Sequence, residues 1–151
     1  MAIGEYCNRE VVITDRSHSI REAAKLMRDH HVGDLVVVEE ISEAKRKPVG
    51  IVTDRDLVLE VLAQDVGLNE VTVGDVMSAD PALAHAGDDL WETLVRMRSR
   101  GVRRLPVVNG EDILQGIVTV DDLLEVFTEH LNDLVKVVTR EQERETERRS
   151  D

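Results

Sequence analysis

The chain has 151 residues, of which 31 are acidic and 19 basic, and its formal net charge at pH 7 is −12. This length suits one domain, or two small ones that share a core. The acidic balance repels phosphate backbones and anionic lipids, so we expect neither nucleic-acid binding nor membrane anchoring. Only Tyr6, Trp91 and Phe127 are aromatic, so the core must be aliphatic and no stacking platform for nucleobases is expected.

The cysteine content and the apolar segments indicate where the protein resides. Cys7 is the only cysteine, so no disulfide can form within the chain and a reducing compartment is the simpler setting. The first residues show no basic segment followed by an apolar one, and no apolar run approaches the roughly 18 residues that a membrane span needs. We therefore expect a soluble cytoplasmic protein.

The first half of the chain predicts two helices around short strands. Ser19 followed three positions later by Glu22 is a helix-start signature, and apolar residues then recur at helical spacing as far as Met27. The branched run from Leu35 to Val38 is typical of a buried strand.

The charged stretch from Glu39 to Pro48 is predicted to be a surface loop. The Gly-Ile-Val-Thr segment that follows is predicted to be a strand, and a second amphipathic helix is expected from about Asp54 to Gln64.

The second half repeats this order of elements, at an offset of 70 residues before the charged stretch and 66 after it. A capped helix start at Asp89 and a strand from Leu105 to Val108 match the first copy, and a helix is expected from Val120 onwards. Asn109-Gly110 predicts a two-residue hairpin turn. The predicted domains are residues 1–68 and 69–131, with a helical extension over 132–151. Neither copy can bury much surface alone, so we expect one pseudo-twofold body.

The last helix departs from the repeat because its apolar stripe runs on past the point where the first copy stops. This stripe either packs on its own body or forms a heptad-type contact in a homodimer. From Arg140 to Asp151 every residue is polar or charged, which predicts a solvated or frayed helix. The stripe consists of Leu124, Phe127, Leu131, Leu134 and Val138.

A Gly-Ile-Val-Thr-x-x-Asp motif occurs twice, at Gly50–Asp56 and at Gly116–Asp122. Its threonine and aspartate have the spacing of a capping box, in which both side chains bond to amides at the helix start. An ionised aspartate also accepts hydrogen bonds from two neighbouring ribose hydroxyls. Capping and ligand binding are compatible, and the residues by themselves leave both open.

Together with the Val-Gly-Asp-Val-Met opening at 73–77 and the Gly-Val-Arg-Arg-Leu-Pro-Val-Val segment at 101–108, the repeated motif resembles the signature of tandem cystathionine beta-synthase (CBS) domains. The resemblance extends from Ile3 to about Leu131. It implies an α/β fold of two β-α-β-β-α repeats with pseudo-twofold symmetry. It also implies a regulatory module that binds AMP, ADP, ATP or another adenosine-containing ligand, such as NAD or S-adenosylmethionine, between the repeats. A disc-shaped homodimer and an unknown effector protein are the partners that it implies.

In this family each cleft combines the motif of one repeat with the first strand and the strand-entry segment of the other. Carried over to this chain, one cleft joins Ile117, Thr119 and Asp122 to Val12, Thr14, Val32, Gly33 and Asp34. The other joins Ile51, Thr53 and Asp56 to Ala82, Ala84, Val102, Arg103 and Arg104. With the resemblance included, Asp56 and Asp122 are predicted to bind ribose.

The two predicted clefts differ in charge because Arg103-Arg104 takes the place held in the first repeat by Gly33-Asp34. In relatives, basic residues here often reach the phosphate beside their own repeat's motif, which favours the cleft of Thr119 and Asp122. Asp34 would repel a phosphate in the other cleft, although Arg55 offsets this in part. The alternative is that both arginines are solvated or pair with the abundant carboxylates.

Catalytic and metal-binding signals are weak. His30 and His31 end a predicted helix, where an imidazolium complements the helix dipole, and we prefer that role to metal ligation. No nucleophile with a base is visible, so we expect no enzyme activity, no metal site and no cofactor. Two other functions stay open at this point: a ligand-free interaction module, and a sensor of divalent metal that uses the excess carboxylates.

Overall fold

The repeated sequence folds into two similar units, each with a small sheet and flanking helices. The computed structural model describes residues 1–150. A 3₁₀ turn at Ile3–Glu5 precedes the first unit, which contains β1 (Ile13–Thr14), α1 (Ile20–His30), β2 (Asp34–Ser42), β3 (Lys45–Thr53) and α2 (Asp54–Asp56). The second contains α3 (Val73–Val76), β4 (Ser78–Ala79), β5 (Ala84–His85), α4 (Leu90–Arg100), β6 (Arg104–Val108), β7 (Leu114–Thr119) and α5 (Val120–Arg149). The predicted α/β fold of two β-α-β-β-α repeats is confirmed.

The first three strands of each sheet have matching topology, and β4, from the start of the second repeat, adds a fourth strand to the first sheet. The strand orders are β1-β2-β3-β4 and β5-β6-β7. In each sheet the short first strand pairs in parallel with the second, which pairs antiparallel with the third. Asp34 is paired with Thr53, and at the equivalent place Arg104 is paired with Thr119. β3 and β7 each end on the threonine of the repeated motif, and this end lies beside the start of β2 or β6.

Local signals explain where the helices begin and end. The Ser19 hydroxyl accepts from the Glu22 amide, and the Asp89 carboxylate accepts from the Trp91 amide. Both helices end on a left-handed residue, His31 in the first repeat and Gly101 in the second. A left-handed C-cap satisfies carbonyls of the last turn, and glycine adopts this conformation at the least cost.

Two predicted loops are wrong. The stretch Glu39–Pro48 continues the strands β2 and β3, with Glu39 opposite Lys47 and Glu40 opposite Arg46. Such opposite charges stabilise neighbouring strands, so a charged segment forms an exposed hairpin. The Asn109-Gly110 turn is instead part of a longer loop between β6 and β7, because the Asn109 side chain accepts from the amides of Glu111 and Ile113.

The second helix of the first repeat also differs from its prediction. Its α-helical turn covers only Asp54–Asp56, and the chain continues as a π-helix over Leu57–Leu62. Asp65, which follows this helix, takes a left-handed conformation.

The leading segment of each repeat packs into the core of the other repeat. Ile3 is fully buried in the second core with Leu90 and Leu105, and Val73 is fully buried in the first core with Leu35. Backbone hydrogen bonds fix this exchange: the Ile3 amide donates to the Asp88 carbonyl, and the Val73 amide donates to the His18 carbonyl. A third cluster of Val36, Val38 and Ile117 lies where the two sheets meet.

The last helix leaves the body of the protein. Leu123 and Val126 are buried and Phe127 is partly buried, whereas the helix is exposed from Thr128 to its end at Arg149. Packing of the predicted stripe on its own body is therefore limited to Phe127. The predicted solvated helix beyond Arg140 is present through Arg149. Among residues 1–150, no helix combines the length and apolarity needed to cross a bilayer.

Because Ile3 completes the core of the second repeat, we expect its truncation to lower the stability of the fold strongly. Ile3→Ala is expected to lower the free energy of unfolding by about 2–5 kcal/mol, because it leaves a cavity in the second core. Urea denaturation followed by circular dichroism measures this change. Ile41→Ala, at a position 52% exposed, is the control and should cost no more than about 0.5 kcal/mol. Equal stability of the two variants would contradict the exchange.

Candidate functional site

A cleft of about 450 Å³ opens between the motif of the first repeat and the α4–β6 connection of the second. The end of β3 and the start of α2 form one side, and the chain before β5 and after α4 forms the other. Seven of its lining residues belong to the predicted site: Ile51, Thr53, Asp56, Ala82, Val102, Arg103 and Arg104. The structure therefore brings most of the second predicted cleft together across the two repeats.

Thr53 and Asp56 form a capping box at the mouth of this cleft. The Thr53 amide donates to Oδ2 of Asp56 over 2.9 Å, and the Asp56 amide donates to the Thr53 hydroxyl over 3.1 Å. Thr119 and Asp122 repeat this geometry at 2.9 Å and 3.2 Å. Capping uses one oxygen of each aspartate, Oδ2, and leaves Oδ1 for other acceptor roles. The same aspartate can therefore cap its helix through Oδ2 and accept a hydrogen bond from a ligand through Oδ1.

The two arginines lie at the seam between the repeats. Nε of Arg104 lies 3.4 Å from Oδ1 of Asp34, and Nη2 of Arg103 lies 3.8 Å from Oδ1 of Asp121. The Arg104 side chain is largely buried, and its Nε is a buried atom without a hydrogen-bond partner in residues 1–150. Asp34 and Arg104 occupy equivalent positions of the two repeats, so their contact lies at the pseudo-twofold axis.

Charge distinguishes this cleft from its pseudo-equivalent. Arg55, Arg103 and Arg104 line it, and the residues at the matching positions of the other repeat are Asp121, Gly33 and Asp34. We expected the arginines to favour the cleft of Thr119 and Asp122. In the structure both line the opposite cleft; on the side of the second motif, the Arg103 side chain approaches Asp121 and the backbone of Arg104 is paired with Thr119. The geometry thus differs from that expectation, because the start of β6 faces the first repeat.

The residues predicted for the other cleft are distributed over several environments. Ile117 packs against Val36 and Val38 at the sheet junction. Thr14 is buried, and its hydroxyl is 2.9 Å from Nδ1 of His18. Val12 and Val32 border a separate depression of about 550 Å³ whose lining does not include Ile117, Thr119 or Asp122. Asp34 is paired with Arg104, and the Gly33 carbonyl accepts from the Asp54 amide. The contacts of these residues therefore differ from one another, and the cavity beside Val12 and Val32 does not include the second motif.

One residue predicted for the first cleft is also placed elsewhere. Ala84 is fully buried in the core of the second repeat, whereas Ala82, which precedes β5, lines the cleft. Sequence reasoning missed Asp54, Ser78, Pro81 and Gly101 as lining residues. Gly101 could have been found from the sequence, because a glycine directly before Val102 is typical of a helix C-cap. Ser78 could not, because it reaches the site through the pairing of β4 with Ile51.

Burial raises the pKa of Asp34 above its ordinary value of 3.8. The nearby Arg104 lowers this pKa and the Asp54 carboxylate raises it, and the net direction is upward. The cross-repeat ion pair thus does not fully offset the desolvation of the carboxylate. Within residues 1–150, no group of three His, Cys, Asp or Glu side chains is placed to hold a metal ion.

Comparison with known proteins identifies both repeats. The family model of the CBS domain matches residues 3–63 and 73–129. Uncharacterized protein MK0525 of Methanopyrus kandleri is 36% identical over 126 residues, which cover 83% of this chain and 62% of that protein. Hypoxic response protein 1 of Mycobacterium tuberculosis is 31% identical over 123 residues, which cover 82% of each protein.

A solved structure supports the same relationship. The CBS domain pair of protein MJ0100 was solved in complex with 5′-methylthioadenosine and S-adenosyl-L-methionine. This chain matches it with a TM-score of 0.74 and 25% identity, and the match covers 86% of this chain and 98% of that one.

The raised pKa of Asp34 predicts how stability depends on pH. A folded state that holds a proton more tightly than the unfolded chain loses stability as pH rises through 3.8 and the higher folded pKa. An asparagine side chain resembles the protonated carboxyl, so Asp34→Asn is expected to raise Tm at pH 7 and to match the original protein below pH 3.8. Calorimetry at both pH values measures this.

The matched control is Asp121→Asn, because Asp121 is the exposed partner of Arg103 at the same seam. Solvent screens that pair, so Tm should change little at either pH. A lower Tm for Asp34→Asn at pH 7 would show that the Asp34–Arg104 pair stabilises the fold, contrary to this prediction.

Proposed function

Because this chain belongs to the CBS domain family and contains a tandem pair of these domains, we propose that it is a regulatory module that binds a phosphorylated adenosine ligand. AMP, ADP and ATP are the candidates, and the site is the cleft between Thr53–Asp56 and Arg103–Arg104. The observation that carries this proposal is that three arginines, against the two carboxylates of Asp54 and Asp56, line one cleft of a chain whose net charge is −12.

The walls of the cleft suit a purine. Ile51, Pro81, Ala82 and Val102 provide apolar surface on both sides. The volume of about 450 Å³ lies in the range of small-molecule sites, whose apolar walls hold a ligand while a few polar groups orient it. Main-chain groups of the α4–β6 connection would give the base its polar contacts.

The ribose and phosphate positions follow from the polar end of the cleft. Oδ1 of Asp56 is not used in the capping box, so it can accept hydrogen bonds from ribose hydroxyls. Arg55, Arg103 and Arg104 then lie on the phosphate side. Arginine binds phosphate through two parallel hydrogen bonds, and Nε of Arg104 has none at present.

Signalling follows from the fact that the cleft joins the two repeats. A ligand shifts the placement of the repeats only by the difference between its affinities for the two arrangements. The Asp34–Arg104 contact can differ between the two arrangements, because a phosphate that binds Arg104 competes with Asp34 for the guanidinium. An effector protein would read the resulting change, and no catalytic step is proposed.

The protein MJ0100 supports the adenosine part of the proposal, since its CBS domain pair was solved with two adenosine derivatives. Neither of those ligands carries a phosphate, and S-adenosylmethionine carries a positive sulfonium group. The arginines of this cleft favour an anionic ligand instead. Ligand charge is therefore the property that a binding experiment should vary.

Titration calorimetry with AMP, ATP, 5′-methylthioadenosine and S-adenosylmethionine tests the proposal. We expect AMP or ATP to bind with one site per chain and more tightly than the two ligands without phosphate. Asp56→Asn should weaken binding about tenfold or more, since it removes a charged acceptor of hydrogen bonds. Asparagine keeps a carbonyl oxygen for the capping bond, so the fold is retained.

Asp122→Asn is the matched control, because Asp122 has the same capping geometry in the other repeat. This variant should bind AMP or ATP within about twofold of the original protein. Equal losses in both variants would contradict the assignment to the first motif. Absence of binding by all four compounds would contradict the proposed ligand class.

A further inference from the structure

A small cavity of about 150 Å³ lies where the hairpin of β2 and β3 meets the second repeat, and we call it the hairpin pocket. It shares no lining residue with the ligand cleft. Two arginines and one glutamine provide its polar side chains, and no acidic residue of the described part of the chain lines it. Its lining consists of Arg9, Val11, Ile13, Ala44, Arg46, Leu114 and Gln115.

Three segments of the chain form this pocket. The segment before β1 contributes Arg9, which is held beside β7 because backbone hydrogen bonds run in both directions between Asn8 and Ile117. The hairpin contributes Arg46, and Gln115 comes from the start of β7. A ligand in the pocket would therefore contact both repeats.

The second repeat has no counterpart of either arginine. Ala79 stands where the first repeat has Arg9. The hairpin of the first repeat is longer, because β2 continues beyond Val38, the counterpart of the last residue of β6. Arg46 lies on this extension, so the longer hairpin creates the pocket.

The two arginines of the pocket are free of carboxylate partners within residues 1–150. Neither has a carboxylate oxygen within 4.0 Å, whereas Arg96 and Arg104 each have one. Glu40 lies opposite Arg46 across the hairpin, but it does not line the pocket. In a chain whose net charge is −12, the hairpin pocket is thus a local site of positive charge.

Hydrogen bonds hold part of this polar lining in place. Nη2 of Arg9 donates to the Gly4 carbonyl over 3.1 Å, and Nε2 of Gln115 donates to the Leu114 carbonyl over 3.3 Å. A guanidinium has five N–H groups and an amide nitrogen has two, so both side chains keep donors for a ligand. Side chains that are oriented before binding lose less conformational entropy when a ligand binds.

We propose that the hairpin pocket binds inorganic phosphate, a small tetrahedral oxyanion. Each guanidinium can form two parallel hydrogen bonds to phosphate oxygens. The pocket volume of about 150 Å³ lies below the range of about 300–1,000 Å³ for drug-sized ligands, so a whole nucleotide does not fit.

The apolar part of the lining supports this ligand. Val11, Ile13 and Leu114 keep part of the water away from the arginines, and opposite charges attract more strongly where less water separates them. Bound phosphate would also neutralise the repulsion between the two arginines and would join the hairpin to the second repeat. This inference does not depend on the ligand that we propose for the cleft.

Titration calorimetry with inorganic phosphate, at an ionic strength kept constant with sodium chloride, tests this proposal. The original protein is expected to bind phosphate saturably. Arg9→Gln and Arg46→Gln are each expected to raise the dissociation constant about tenfold or more, because each removes charged hydrogen bonds. Both arginines are exposed, so circular dichroism should show unchanged folding. Arg46→Lys should also weaken binding, because an ammonium group keeps the charge but loses the paired hydrogen bonds.

The matched control is Lys45→Gln, which removes the same charge from the same strand. Neighbouring side chains of a strand point to opposite faces, and Lys45 does not line the pocket. This variant should bind phosphate within about twofold of the original protein. Absence of saturable binding, unchanged binding by Arg46→Gln, or an equal loss in Lys45→Gln would each overturn the proposal. A loss in Arg104→Gln without a loss in Arg46→Gln would also overturn it, because phosphate would then occupy the ligand cleft.

Discussion

The exchange of leading segments between the repeats is the constraint on which the rest of the structure depends. Each core is completed by an aliphatic residue from the start of the other repeat, Ile3 in one case and Val73 in the other. Backbone hydrogen bonds at both places hold these residues in register. The exchange holds the two repeats against each other, and the cleft between Thr53 and Arg104 lies where they meet. Burial of Ile3 and Val73 in the two cores thus positions the polar residues of the cleft.

Within this shared frame, the repeats differ mainly in charge at a few matched positions. The capping boxes of Thr53–Asp56 and Thr119–Asp122 are nearly identical in geometry, as the common fold requires. Arg55 and Asp121 stand at matching positions, and so do Arg104 and Asp34. Equivalent residues near a twofold axis meet each other, and identical charges there would repel. Opposite charges at the axis avoid that repulsion and make the two clefts different.

Sequence reasoning identified the features that depend on local signals and missed those that depend on tertiary pairing. The helix starts at Ser19 and Asp89 were predictable, because a cap needs only residues that are close in the chain. The charged hairpin formed by the end of β2 and the start of β3 was predicted as a loop, because pairs of opposite charges across two strands become visible only when the strand register is known. The lining residue Ser78 was missed for the same reason. Ala84 was assigned to the site by family position, and its full burial places it in the core of the second repeat.

The weakness of the Asp34–Arg104 contact is consistent with the regulatory role that we propose. A strong ion pair at the seam would hold the repeats together whether or not a ligand is present. Here the distance is 3.4 Å, Nε of Arg104 lacks a hydrogen bond, and burial raises the pKa of Asp34. Replacing Asp34 by a phosphate would give the guanidinium better hydrogen bonds at small cost to the fold. An ion pair of this kind leaves the relation between the repeats open to control by a ligand.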